Sequence, residues 1–150
     1  KAHPLLNRTH YHHGEEFSDK TGLADISWLN CCGITMQEND WHDKEIRCFA
    51  MLLAETEHYV THCSKKTESD DALLIIFNAH QCEINYSLPS FINKEKNEEQ
   101  TKEHWQELIN TATFGLKNIS KPETNKYTES ALCVAAHSCV VLAYSQTNFG

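Results

Sequence analysis

The chain has 150 residues, 40% of them hydrophobic and 23% charged, with a net charge of −8 and a pI near 5.6. That length holds one domain with a core of its own, and the acidic balance leaves no basic stripe to neutralise nucleic-acid phosphates. The longest apolar run, about five residues, falls far short of the roughly 20 needed to span a bilayer.

No apolar h-region follows Lys1-Ala2-His3-Pro4, so no signal peptide is read there, and the chain is expected in the cytoplasm. Lys1–Arg8 (KAHPLLNR) reads as the tail of something preceding it. His10–Gly14 reads as a short strand before a turn, and Glu15–Gly22 as a polar loop. Asp25–Leu29 (DISWL) mixes apolar and polar positions as a strand does, and Asn30–Gly33 turns. Thr35 and Glu38 have the spacing of a capping box before one helical turn at Asn39-Asp40-Trp41. Glu45–Ala54 is apolar on both faces and fits a helix or a buried strand. The short, polar-bounded Cys48–Leu53 favours the strand. Glu55–Asp71 reads as a long polar loop.

The stretch from Asp70 to Pro89 organises the rest. Leu73–Phe77 is a continuous apolar run, as in a central strand, and Asn78-Ala79-His80-Gln81 is turn-prone. Cys82, Ile84, Tyr86 and Leu88 then alternate with Glu83, Asn85 and Ser87, which predicts a strand returning beside the first as a hairpin. Asn93–Glu103 is charge-dense, a solvated loop or a short exposed helix. Trp105–Thr111 is a strand, and Asn118–Ser130, with Pro122, is loop. Leu132–Ala136 and Cys139–Tyr144 are closing strands joined by a tight turn at Ala136-His137-Ser138. About eight short strands with polar connections predict an all-β fold, an antiparallel β-sandwich.

Chemistry is sparse. Of ten histidines, His10, His12 and His13 crowd together, and on a strand His10 and His12 would share a face and could begin a metal site. No HExxH or Cys-x-x-Cys supplies further ligands, so surface histidines are the simpler reading. Cys31-Cys32 is adjacent rather than spaced for tetrahedral ligation. Cys48, Cys82, Cys133 and Cys139 fall within apolar strands and are expected as reduced core thiols. Nucleophile-elbow, dinucleotide and P-loop motifs are lacking, and Asp70-Asp71 reads as a solvated strand entry rather than a catalytic dyad. Hence no catalytic residue, metal ligand or cofactor is assigned. Trp28, Trp41 and Trp105 remain, able to stack on sugar rings or to pack in a core or domain interface. Trp28 and Trp41 are kept as glycan-contact candidates.

Several segments occur together in an order of their own: Asp25–Leu29, Gly33-Ile34-Thr35-Met36, Asp40-Trp41, Arg47-Cys48-Phe49-Ala50, Asp70–His80, the strand ending Leu88-Pro89, Trp105 with Leu108–Thr111, and Ala136–Leu142. This set resembles the C-terminal domain of isoamylase-type glycogen debranching enzymes of the α-amylase superfamily, from about His3 to Tyr144. The resemblance implies a β-sandwich accessory domain over residues 9–146, with 147–150 as a tail. Residues 1–8 would be the end of the last helix of a catalytic (β/α)₈ barrel, His3-Pro4 matching a family His-Pro. It implies a parent enzyme that hydrolyses α-1,6 branch linkages in glycogen or limit dextrin by a retaining two-carboxylate mechanism. Those carboxylates lie in the barrel and match no position here, so the chain alone is expected to be inactive and to stabilise the barrel. A glycan-binding module using exposed tryptophans, with glycogen or another α-glucan as partner, is the alternative. Cys31-Cys32, where the family often has a polar turn, and the Asn93–Glu103 insertion depart from the pattern.

Overall fold

A computed structural model describes residues 4–6, 11–17, 23–54, 72–89, 101–113, 126–127 and 130–148. The fold is all-β, two antiparallel sheets face to face. Its strands are β1 (Ile26–Asn30), β2 (Cys48–Ala54), β3 (Ala72–Asn78), β4 (Ile84–Ser87), β5 (Thr101–Asn110), β6 (Lys126–Tyr127), β7 (Ala131–Val134) and β8 (Ser138–Asn148). Six of them form one sheet in the order β1-β2-β3-β8-β5-β6, and β4 pairs with β7 in the other. A short helix, α1 (Glu38–His42), lies between β1 and β2, and a 3-10 turn, Pro4–Leu6, precedes them. Cys48–Leu53 is indeed strand, within β2, its inner face in the core and the Leu53 end of its outer face under Leu5.

The alternation of side chains along a strand sorts each into an inner and an outer set. Inner residues Leu29, Ala50, Leu52, Leu74, Ile76, Val140 and Leu142 meet Tyr86, Leu132 and Val134 of the small sheet in one core cluster. Trp105 belongs to that core, 5% exposed, its ring 5.2 Å from that of Tyr144. At about 25 cal/mol per Å² of apolar surface removed from water, this layer is the main stabilising term.

The expected hairpin across Asp70–Pro89 is not formed. β3 and β4 both exist, but they lie in opposite sheets, and the chain between them arches from one sheet to the other. The closing pair does the same: β7 is in the small sheet and β8 in the large one, so residues 135–137 cross over rather than turn back. Since β3 pairs with β8 and β4 with β7, the two arches stack at the same end of the sandwich. Asn78 joins them. It is 2% exposed, its Nδ2 donates to the carbonyls of Cys82, Val134 and Ala135 at 3.1, 3.1 and 2.9 Å, and its Oδ1 accepts from the His80 N–H at 2.9 Å. Ser138 Oγ adds a bond to Ala135 O at 2.7 Å. The arches replace hairpin turns because a buried amide satisfies the backbone groups that a crossover would otherwise leave unpaired.

Other expectations shift locally. Residues 11–14 form no strand, and His10 lies outside the described residues. The α1 cap is Gln37, whose N–H donates to the Asp40 carboxylate at 2.9 Å, while Thr35 bridges Leu29 instead. Phe17 in the polar loop bridges Ala24. Residues 55–71, including Asp70-Asp71, lie outside the described residues, as do residues 93–100 of the charged stretch, whose last three residues begin β5. Lys126–Tyr127 inside the expected Asn118–Ser130 loop is strand paired to β5. β8 runs through Asn148, past the expected domain edge at 146.

Among the four expected core cysteines, only Cys48 is buried. Cys82 lies in the arch before β4, Cys133 on the outward side of β7 between the buried Leu132 and Val134, and Cys139 half-buried on the outer side of β8. Strand alternation, not apolar context, decides which thiol goes inside. All described cysteines are free.

Candidate functional site

The outer face of the large sheet is unusual for a face pointing away from the core. Strand register aligns its side chains in rows: Ile26, Leu53, Leu73 and Ala143; then Trp28, Met51, Ile75, Val141 and Ile109; then Asn30, Phe49, Phe77 and Cys139. Nearly every position is apolar. That is why β3 reads as a continuous apolar run, the pattern of a strand covered on both sides.

The first row is covered by the chain's own beginning. Leu5 of the Pro4–Leu6 turn is 2% exposed and packs with Leu53, Leu73 and Ala143, flanked by Ile26, Met51 and Val141. The last two rows carry an aromatic series. Trp41 on α1 meets Trp28 edge-on at 5.7 Å and 77°, Trp28 meets Phe49 at 6.0 Å and 52°, and Phe49 meets Phe77 at 5.6 Å and 37°. Trp41 is 53% exposed, Phe77 36% and Ile109 49%. A β-bulge between Glu107 and Ile109 turns Leu108 outward as well. The result is a contiguous apolar patch with solvent-facing aromatics, the kind of surface that marks an interaction site.

Of the two tryptophans singled out as glycan contacts, Trp28 is half-buried on this face and Trp41 is exposed at its rim. Phe49 and Phe77 complete the series. Their places in the sequence carry a signal, since each occupies the outer register of an otherwise buried strand.

The histidine cluster is tied up differently from a metal site. Asp25, 1% exposed, accepts the backbone N–H groups of His13, Gly14 and Ile26 at 2.9, 2.7 and 3.0 Å, and His12 Nδ1 lies 3.5 Å from its Oδ2. The carboxylate thus pins the incoming segment to the start of β1. Among the described residues no group of three or more metal-ligating side chains converges. No helix there is long and apolar enough to cross a membrane.

A family model described as "Isoamylase, C-terminal" matches residues 25–143, beginning at the pinning carboxylate Asp25 and ending on β8. No curated protein sequence matches the chain.

Proposed function

The chain belongs to the isoamylase C-terminal domain family, and from that premise we propose that it is the non-catalytic C-terminal domain of a glycogen-debranching enzyme, seated on the catalytic barrel through the outer face of its large sheet. The hydrolysis of α-1,6 linkages belongs to carboxylates of the barrel. This domain covers apolar barrel surface and stabilises it. The observation that carries this reading is the outer face itself, apolar across five strands and already holding Leu5 of the segment that leads into the domain. On this reading the segment bearing Leu5 leads from the catalytic domain to this side of the sandwich.

In the full-length enzyme, Phe77→Asp places a charge among the docking aromatics and is expected to weaken domain docking by about 2 kcal/mol, the scale of an aromatic hot spot. The enzyme should lose debranching activity faster on heating. The isolated domain, where Phe77 is only partly exposed and packs on Phe49, should lose about 1–2 kcal/mol from the substitution itself, so the docking effect is the extra loss seen in the full-length enzyme. Unchanged heat inactivation of the enzyme would refute the docking face. Release of reducing ends from glycogen by the 150-residue chain alone would refute the non-catalytic assignment.

A second reading, glycan binding, is favoured by one feature: Trp41 stands more than half exposed beside the polar side chains of α1. The rings of the series are tilted against one another by 37° to 77° rather than laid flat in a row, and Trp41 is the most exposed of them. Retardation of the chain in a glycogen-containing gel, abolished by Trp41→Ala, would support this reading. Migration equal to that in a plain gel would exclude it.

A further inference from the structure

Residues 11–17, which Asp25 pins to the start of β1, alternate in burial, and in the opposite sense to a segment that serves only its own domain. Tyr11, His13, Glu15 and Phe17 are exposed, while His12, Gly14 and Glu16 between them are half-buried. The two aromatic side chains are thus on the water side, Tyr11 88% and Phe17 64% exposed, and the Pro4–Leu6 turn adds Leu6 at 57%. Single exposed apolar residues are ordinary, but three in one short segment beside an apolar face mark an interaction surface.

Main-chain bonds hold the segment in place. The His13 and Gly14 N–H groups donate to the Asp25 carboxylate at 2.9 and 2.7 Å, Glu16 O accepts from the Asp25 N–H at 2.6 Å, and Phe17 bridges Ala24. These bonds fix the path and leave the two rings outside. The path also adjoins the outer face of the large sheet. A Cβ added to Gly14 would lie 3.7 Å from Ile26 O and 3.9 Å from Ile26 Cγ2, and Ile26 is the β1 member of the first row, packed against the cluster that Leu5 completes. A backbone fixed in advance lowers the ordering cost of association, and aromatic side chains are the usual anchors of an interface.

We propose that residues 11–17 form a second docking strip beside the outer face, with Tyr11 and Phe17 as its anchors and the catalytic domain of the same enzyme as its occupant. This rests on the docking reading above and extends it. The occupant follows from continuity: the strip adjoins the row that Leu5 seals, so a surface laid over the exposed rows continues across the Leu5 turn onto it. The complementary surface is apolar at the two ranks that meet Tyr11 and Phe17, and polar between them, where His13 and Glu15 face it. Asp25 is a positioning residue here. It touches no partner itself and acts by holding the main chain that presents the anchors.

Hydroxyl-radical footprinting of the full-length enzyme and of the 150-residue chain, read by peptide mass mapping, tests the strip. Tyr11 and Phe17 should be oxidised several-fold more slowly in the enzyme than in the isolated chain, as should Phe77 of the outer face. Protection of Phe77 with Tyr11 and Phe17 oxidised equally in both would overturn the strip and leave the docking reading standing. Equal oxidation of all three would overturn both. Protection already present in the isolated chain and lost on dilution would make a second copy the occupant, against the proposal. For the positioning role, Asp25→Ala in the isolated chain should speed hydrogen exchange of the His13 and Gly14 amides about 100-fold while the amides of β3 and β8 keep parental rates. Gly14→Pro unlocks the segment from its own side, deleting one donor at a φ of +78° that proline cannot adopt, and should expose the His13 amide likewise. Parental exchange at His13 in both variants would overturn the role given to Asp25.

Discussion

Asn78→Ala is expected to destabilise the fold by about 4 kcal/mol, measured by urea unfolding. The substitution removes a side chain that is 2% exposed and takes a partner from the His80 N–H and the carbonyls of Cys82 and Val134, while Ala135 O keeps its bond from Ser138 Oγ. Each buried polar group so orphaned costs about 1–3 kcal/mol. Asn78→Asp separates hydrogen bonding from shape. It keeps the acceptor for His80 but turns a second oxygen toward three carbonyls, so the acid is held in its protonated form and its folded-state pKa lies above the unfolded value of about 3.9. The unfolded chain then binds fewer protons than the folded one as pH rises. Relative to the parent protein, this variant should lose least below about pH 4 and lose more as pH climbs through the folded pKa of Asp at that position. A loss below about 1 kcal/mol for Asn78→Ala would mean that the arches hold without it.

Much of the architecture was legible because strand physics is local. The apolar run at Leu73–Phe77, the alternation through Tyr86 and Leu88, and the strands at Asp25–Leu29 and Trp105–Thr111 all appear in the fold, as does the sandwich. What local pattern could not say is which sheet a strand joins. A turn-prone Asn78-Ala79-His80-Gln81 suits a hairpin and an arch alike, and the difference lies in a side-chain amide bonded to carbonyls 56 and 57 residues away. The cysteines failed for a related reason. An apolar neighbourhood does not reveal the phase of a strand, so Cys133 could be placed inside as readily as Leu132. The candidate site was half legible. Two tryptophans could be singled out, one of them exposed in the fold, but joining them to Phe49 and Phe77 required the register of three strands, and Leu5 required the path of a segment that has no strand of its own on that face.

The outer face has a logic of its own. A central strand apolar on both sides is stable only where both sides are dry. Within the described residues the core dries one side fully, and Leu5 dries only the first row of the other. The remaining rows gain their full hydrophobic stabilisation when a second surface arrives. On the proposed reading, docking would add stability to this domain as well as to its partner.

Gly33→Ala should cost about 3 kcal/mol, because the glycine meets two independent constraints. Its φ is +73°, a left-handed conformation that costs other residues about 1–2 kcal/mol. An added Cβ would also lie 2.5 Å from the Ser87 carbonyl oxygen, and backbone cannot rotate away as a side chain could. Relief requires the turn to lift off β4, which breaks the Ser87 N–H bond to Cys31 O and loosens the Asn30 Oδ1 bonds to the Cys32 and Ile34 N–H groups. Gly14 supplies the control: its φ is +78°, but a Cβ there would meet nothing nearer than Ile26 O at 3.7 Å. Gly14→Ala should therefore show the conformational cost alone, about 1 kcal/mol, and the excess at Gly33 measures the close approach. Equal losses at the two positions would show that the turn yields without strain. The same turn leads through Thr35 to α1, so lifting it should also shift the emission of Trp41 and Trp28 in Gly33→Ala and leave it unchanged in Gly14→Ala.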